Sequence, residues 1–204
     1  DMMILVPATA LEEYQSSSPW NEYNLVAMPE EGEPYIGNYV EIDYDDYSLL
    51  YITTSVSPAE CMVKCSKEPT IPTSITIPSI VEIEGFEYSV TSIGDRAFYQ
   101  CYENLISIEI PSSITSIESY AFSGCSELVR ISIPESVVVI DNFAFRNCSS
   151  LVSIDIPDSV SIIGEYAFAE CSSLVSIDIP DHVTCIDSYT FDLCSSLVSV
   201  DIPK

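Results

Sequence analysis

Apolar and polar positions in the last third of the chain recur as one phrase. It reads CSSLVSIDIPDSV over 148–160, CSSLVSIDIPDHV over 171–183 and CSSLVSVDIPK over 194–204. In each copy the residues before proline alternate: Ser153 and Asp155 are polar, Ile154 and Ile156 apolar. That period of two predicts a short strand with one buried face, ended by a proline that cannot continue a sheet ladder. The segments that follow, SVSII or SVVVI, are β-branched and predict a second short extended piece. Then GEYAFAEC or ESYAFSGC offers one or two helical turns, too short to be stable alone.

Aligned on this phrase, the chain resolves into columns. Prolines stand at 111, 134, 157, 180 and 203, each 23 apart. Phe98, Phe122, Phe145, Phe168 and Phe191 form an aromatic column, and Cys101, Cys125, Cys148, Cys171 and Cys194 follow three residues later. Leu105, Leu128, Leu151, Leu174 and Leu197 come next, then Ile108, Ile131, Ile154, Ile177 and Val200. The first copy carries one extra residue between its Cys and Leu. A unit this short buries nothing by itself; stacked units share a continuous core, with equivalent strands in a parallel sheet.

These residues resemble the BspA-type (Treponema pallidum-type) leucine-rich repeat of bacterial surface proteins, over about residues 70–204. The resemblance implies an α/β, β-rich solenoid: a right-handed superhelix with a concave parallel sheet and short helical turns. Residues 93–204 are then five repeats, in an array cut before its own C-terminal cap. Residues 49–92 are the N-terminal cap and opening hairpin, with the hairpin turn around Glu84-Gly85. Residues 29–48, acidic and punctuated by Pro and Gly, read as a linker or long loop. Residues 1–28 resemble the closing cap of a preceding array, with Ile4, Val6 and Pro7 aligning with Val200, Ile202 and Pro203. Three placements stay open for this segment: the end of an earlier array, a fold against its own chain, or a cap on a neighbouring molecule.

Charge narrows the function. Six Lys and Arg stand against 32 Asp and Glu, a formal net charge of −26, and residues 1–63 contain no Lys or Arg. Such a chain repels phosphate backbones and anionic membranes, so nucleic-acid binding is not expected; basic partners or cations are favoured, and solubility alone is the plainer account. No apolar run is long enough to cross a membrane, and the N-terminus lacks a basic n-region. The chain begins with Asp and reads as a processed or excised piece.

No cofactor or catalytic constellation is legible. The single histidine, His182, has no Cys or His pair beside it, and no G-x-S-x-G elbow or phosphate-binding glycine pattern occurs. The cysteine column is expected to hold buried thiols acting as small apolar fillers, because equivalent side chains point in parallel and suit disulfide geometry poorly. Cys61 and Cys65, four apart on a strand, lie too far apart to bond.

Two surface columns remain. Glu109, Asp155, Asp178 and Asp201, interrupted by Ser132, point away from the core onto the concave face, beside Ser107, Arg130, Ser153, Ser176 and Ser199. Stacked like charges cost stability. The ladder suits a basic segment or weak Ca²⁺ binding, or is an ordinary solvated face. Tyr120, Phe143, Tyr166 and Tyr189 form an aromatic stripe, with Arg96 in the same column of the first repeat. It either grips a partner or flattens over the core edge. The expectation is therefore a non-catalytic protein-binding module. Resemblance to the family implies a secreted or cell-surface adhesin for extracellular-matrix or other surface proteins, with fibronectin and fibrinogen among the family's ligands. The alternative is a structural spacer or a head-to-tail assembling arm of a larger surface protein.

Overall fold

The computed structural model describes residues 3–6, 24–27, 36–44, 47–65, 72–99 and 105–202. Among them every regular element is a strand. The alternating pieces before each proline stack in parallel at the repeat spacing. β6 (Ser74–Thr76) pairs with β9 (Ser107–Glu109), isolated bridges join Ser132 to Asp155 and Ser153 to Ser176, and β13 (Ser176–Asp178) pairs with β14 (Ser199–Asp201). The β-branched pieces form a second parallel row. In it β8 (Phe86–Ile93), β10 (Ser116–Ile117), β11 (Val139–Ile140) and β12 (Ile162–Ile163) lie side by side, and a bridge from Ile163 to Ile186 continues the row.

The third side of the repeats corrects an expectation: among the described residues it contains no helix. Three N–H groups of the Glu118–Cys125 turn bond locally, from Ala121 to Glu118 O, Ser123 to Tyr120 O and Cys125 to Phe122 O, each at 3.1 Å. The intervening ones leave the repeat altogether. Tyr120, Phe122 and Gly124 donate to the carbonyls of Asn142, Ala144 and Arg146 at 3.0, 2.8 and 2.7 Å. Phe143, Phe145 and Asn147 do the same to Glu165, Ala167 and Ala169. An α-helix directs every interior N–H back along its own axis, so this outward set is incompatible with one. The backbone achieves it by entering the left-handed region twice per repeat. Arg96, Tyr120, Phe143, Tyr166 and Tyr189 have φ of 53 to 60°, and Gly124, Asn147, Glu170 and Leu193 have φ of 82, 57, 61 and 55°. Bulky residues adopt such φ only where the surroundings compensate the strain.

The core runs the length of the array between these three sides. Phe98, Phe122, Phe145 and Phe168 are fully buried and stack ring on ring, with centroids 5.2 to 5.4 Å apart. The leucine column from Leu105 to Leu174 is buried beside them, as are the inward isoleucines of both strand rows, Ile75, Ile108 and Ile177 in one and Ile93, Ile117, Ile140 and Ile163 in the other. At the N-terminal end, β4 (Tyr47–Val56) and β5 (Ala59–Cys65) form an antiparallel hairpin whose second strand joins β8 in parallel. Leu49, Tyr51, Cys61 and Val63 are thereby added to the core. β7 (Ile80–Ile83) folds back on β8 through Glu84 and Gly85, both at positive φ, as a tight hairpin turn requires.

Part of the stretch expected to be linker is strand. β3 (Tyr39–Tyr44) pairs antiparallel with β4 along its whole length. Val40, Ile42 and Tyr44 pack against the core while Tyr39, Glu41 and Asp43 are exposed. The acidic residues that suggested a loop occupy the outward half of a two-residue alternation. Within residues 1–28, β1 (Met3–Val6) pairs in parallel with β2 (Asn24–Ala27); Pro7 and the rest of that segment lie outside the described residues, as do Cys101 and Pro203.

The left-handed turn positions are directly testable. Leu193 is exposed and held at φ 55°, so Leu193→Gly removes strain without removing packing. It is expected to raise stability by about 1 kcal/mol, and the β-branched Leu193→Val to lower it, read as shifts of the urea midpoint.

Candidate binding face

The outward positions of the pre-proline strands bring the acidic and hydroxyl columns onto one side. Glu109, Ser132, Asp155, Asp178 and Asp201 are exposed, as are Arg130, Ser153, Ser176 and Ser199; Ser107 is half-buried. Register makes the columns continuous: Ser176 lies opposite Ser199 and Asp178 opposite Asp201, while Ser132 lies opposite Asp155. The face also extends one rung towards the N-terminus. Ser107 Oγ lies 3.1 Å from Ser74 Oγ, and the Thr76 hydroxyl donates to Glu109 Oε2 at 3.1 Å. Ser74 and Thr76 were not singled out from the sequence, because β6 stands outside the regular 23-residue spacing. The described ion pairs lie elsewhere: Arg96 with Asp95 at 2.8 Å and Arg146 with Glu170 at 2.6 Å, both beside the turns.

A third exposed column, next to these strands at their N-terminal ends, was also missed. Ile106, Val129, Val152, Val175 and Val198 follow the buried leucines and are all exposed. Their signal was the invariant letter pair LV or LI at the start of each strand. The strand alternation begins only at the next residue, so the valine fell outside the pattern.

The aromatic stripe resolves as a stack. Successive ring centroids from Tyr120 through Phe143 and Tyr166 to Tyr189 lie 4.6, 5.0 and 4.9 Å apart, nearly parallel. The Arg96 guanidinium sits over Tyr120, 4.8 Å from the ring centroid, and Tyr99 meets that ring edge-on. The rings therefore cover one another's faces and present edges outward, a geometry that favours mutual stacking over capture of a planar ligand.

The cysteines act as backbone partners. The thiols of Cys125, Cys148, Cys171 and Cys194 donate to the carbonyls of Phe98, Phe122, Phe145 and Phe168, each in the preceding repeat, at 3.1 to 3.2 Å. Burial pushes the Cys148 and Cys171 thiols well above their ordinary range and raises Cys61 to about 12. These are poor nucleophiles. Serine serves likewise: Ser113 and Ser159 donate to Val90 O and Val137 O, both at 2.7 Å, linking repeat to repeat. His182 is exposed, and among the described residues no group of three His, Cys, Asp or Glu is placed to hold a metal ion. The geometry offers an extended, banded surface over a stacked core.

That architecture has known counterparts. The family profile described as BspA type leucine rich repeat region matches residues 91–204 in six copies, one more than the five full phrases. The chain belongs to the BspA-type leucine-rich repeat family. Its fold is similar to the leucine-rich repeat protein of Treponema pallidum, at 31% identity and a TM-score of 0.68, covering 80% of this chain and 72% of that one. It is also similar to a leucine rich cell surface protein of Faecalibacterium prausnitzii, at 32% identity and a TM-score of 0.66; there the match covers 80% of this chain and 43% of the other. The pneumococcal vaccine antigen PcpA shares the fold at 22% identity and a TM-score of 0.59, over 84% of this chain and 51% of that one. No curated protein matches the chain. Leucine-rich repeats of this family are binding modules that engage other proteins. No helix among the described residues is long and apolar enough to cross a membrane.

The buried thiols imply a pH dependence. Folding holds Cys148 and Cys171 protonated at pH values where the unfolded thiols, with pKa about 8.5, ionise. The folded state then binds more protons than the unfolded one. Stability is complete below about pH 8 and falls as pH rises past the unfolded thiol pKa; the buried Tyr51 phenol adds loss of the same sign at higher pH. Urea midpoints at pH 7 and pH 10 are expected to differ in that direction, and Cys148→Ala to reduce the difference.

Proposed function

We propose that the chain is the non-catalytic recognition segment of a secreted or surface-anchored bacterial adhesin that binds extracellular-matrix or other surface proteins. The observation that carries this reading is the exposed, continuous face of hydroxyl and acid columns, on a scaffold whose remaining sides are committed to repeat-to-repeat contacts. The family supports it, as does the cell-surface description of the F. prausnitzii protein. In this reading the right-handed curvature of the array makes the acid-bearing face concave, and a net charge of −26 selects basic segments of the partner. The aromatic stack is assigned to stiffening the turn side.

A spacer role is the second reading, favoured by the unbroken stacking along the array, which suits a rigid rod. Binding of the purified chain to immobilised matrix and bacterial surface proteins, at low and high salt, separates the two. The adhesin reading expects a saturable, salt-sensitive interaction. It also expects Asp155→Ser with Asp178→Ser to weaken binding several-fold at low salt while slightly raising the urea midpoint, since stacked like charges are relieved. An absence of binding at every salt concentration favours the spacer.

A further inference from the structure

The aliphatic column that immediately precedes the acid-bearing strands is exposed along the array. Ile106, Val129, Val152, Val175 and Val198 are 46, 36, 47, 44 and 84% exposed. Backbone bonds join neighbouring rungs: Val129 N to Ile106 O at 3.2 Å, Val175 N to Val152 O at 3.2 Å and Val198 N to Val175 O at 2.9 Å. Single exposed aliphatics are ordinary on protein surfaces, but a contiguous apolar stripe on a chain of charge −26 is not. Strand propensity alone does not account for it, because threonine is β-branched as well and would leave the stripe polar.

Its dimensions specify an occupant. With rungs about 4.8 Å apart, five rungs span about 19 Å. That is the length of an α-helix of about 13 residues. The acid column begins three residues further along the chain, within about 10 Å of the stripe. Glu135, Asp158 and Asp181, beyond the prolines, are exposed as well. A helix is about 10–12 Å across with its side chains. Laid on the stripe, it brings its flanking positions over Asp155 and Asp178. Arg130 is the single basic residue among the aliphatic, hydroxyl and acid columns described for this face.

We propose that this stripe docks a cationic amphipathic helix of a partner protein, three to four turns long, with its apolar face on Val129–Val175 and its Lys or Arg side chains over the acid column. The inference rests on the protein-binding reading above and specifies the chemistry of its partner.

The test uses a synthetic Leu/Lys amphipathic peptide of about 14 residues and a scrambled peptide of the same composition without an apolar face. Both are titrated by fluorescence anisotropy into the full chain, at low and high salt. The amphipathic peptide is expected to bind roughly ten-fold more tightly than the scramble. Val152→Thr with Val175→Thr, which keeps size and β-branching, is expected to weaken it roughly ten-fold at both salt concentrations. Asp155→Asn with Asp178→Asn is expected to weaken it at low salt only. Equal binding of the two peptides overturns the proposal, as does an unchanged affinity of the threonine variant. Self-association of the free chain that the threonine variant abolishes also overturns it, since the occupant is then a second copy. The same variants are carried through the surface-protein binding assay. Binding there that survives the threonine changes, with no peptide preference, sinks the helix proposal and leaves the adhesin reading standing; no binding by the unsubstituted chain in either assay sinks both.

Discussion

Everything in this protein depends on backbone N–H groups that leave their own repeat. On the turn side every second donor reaches the carbonyl of the next repeat, as from Phe122 to Ala144 and from Phe145 to Ala167, both at 2.8 Å. A buried, unmade bond of this kind costs more than a made one contributes, so no repeat is complete without the one beyond it. The same requirement accounts for the strain. Tyr120, Phe143, Tyr166 and Tyr189 sit at positive φ because only there do the alternate N–H groups point along the array. The ring stack and the interlocking turns offset that cost, of order 1–3 kcal/mol per residue.

Stacking in register has a second consequence. Each letter of the repeat becomes a line of identical side chains about 4.8 Å apart. Inward lines solve packing once and reuse it: phenylalanine rings stack with each other, and the thiols of Cys148 and Cys171 meet the phenylalanine carbonyl of the preceding repeat. Outward lines amplify whatever chemistry they carry. One exposed valine is unremarkable, but four with Ile106 form an apolar stripe, and Asp155, Asp178 and Asp201 in register become a repulsive acidic ladder. The surface of such an array is therefore banded along its axis.

The same geometry commits the nucleophilic side chains of the described residues to structure. Buried thiols are bonded to carbonyls and held protonated by their surroundings, serine hydroxyls such as Ser113 and Ser159 are engaged by backbone, and His182 stands exposed on a strand-to-strand connection. The face proposed for binding is the outer side of the pre-proline strands.

From the sequence alone, the period of 23, the inward columns from Phe98 to Phe191 and Leu105 to Leu197, and the outward placement of Asp155 and Asp178 were all legible. Side-chain alternation and repetition are properties of the chain itself, and identical units can only stack on one another. The tertiary structure decided where backbone donors find their acceptors. AFSGC and AFAEC have the composition of a short helix, yet they form left-handed turns because their carbonyl partners lie a whole repeat away in sequence. The stretch from Tyr39 to Tyr44 looked like linker until β4 supplied the edge that made its alternation a strand. The exposed valine stripe likewise required the neighbouring rungs. A local pattern assigns a residue to the inside or the outside, but only the stack turns separate valines into a surface.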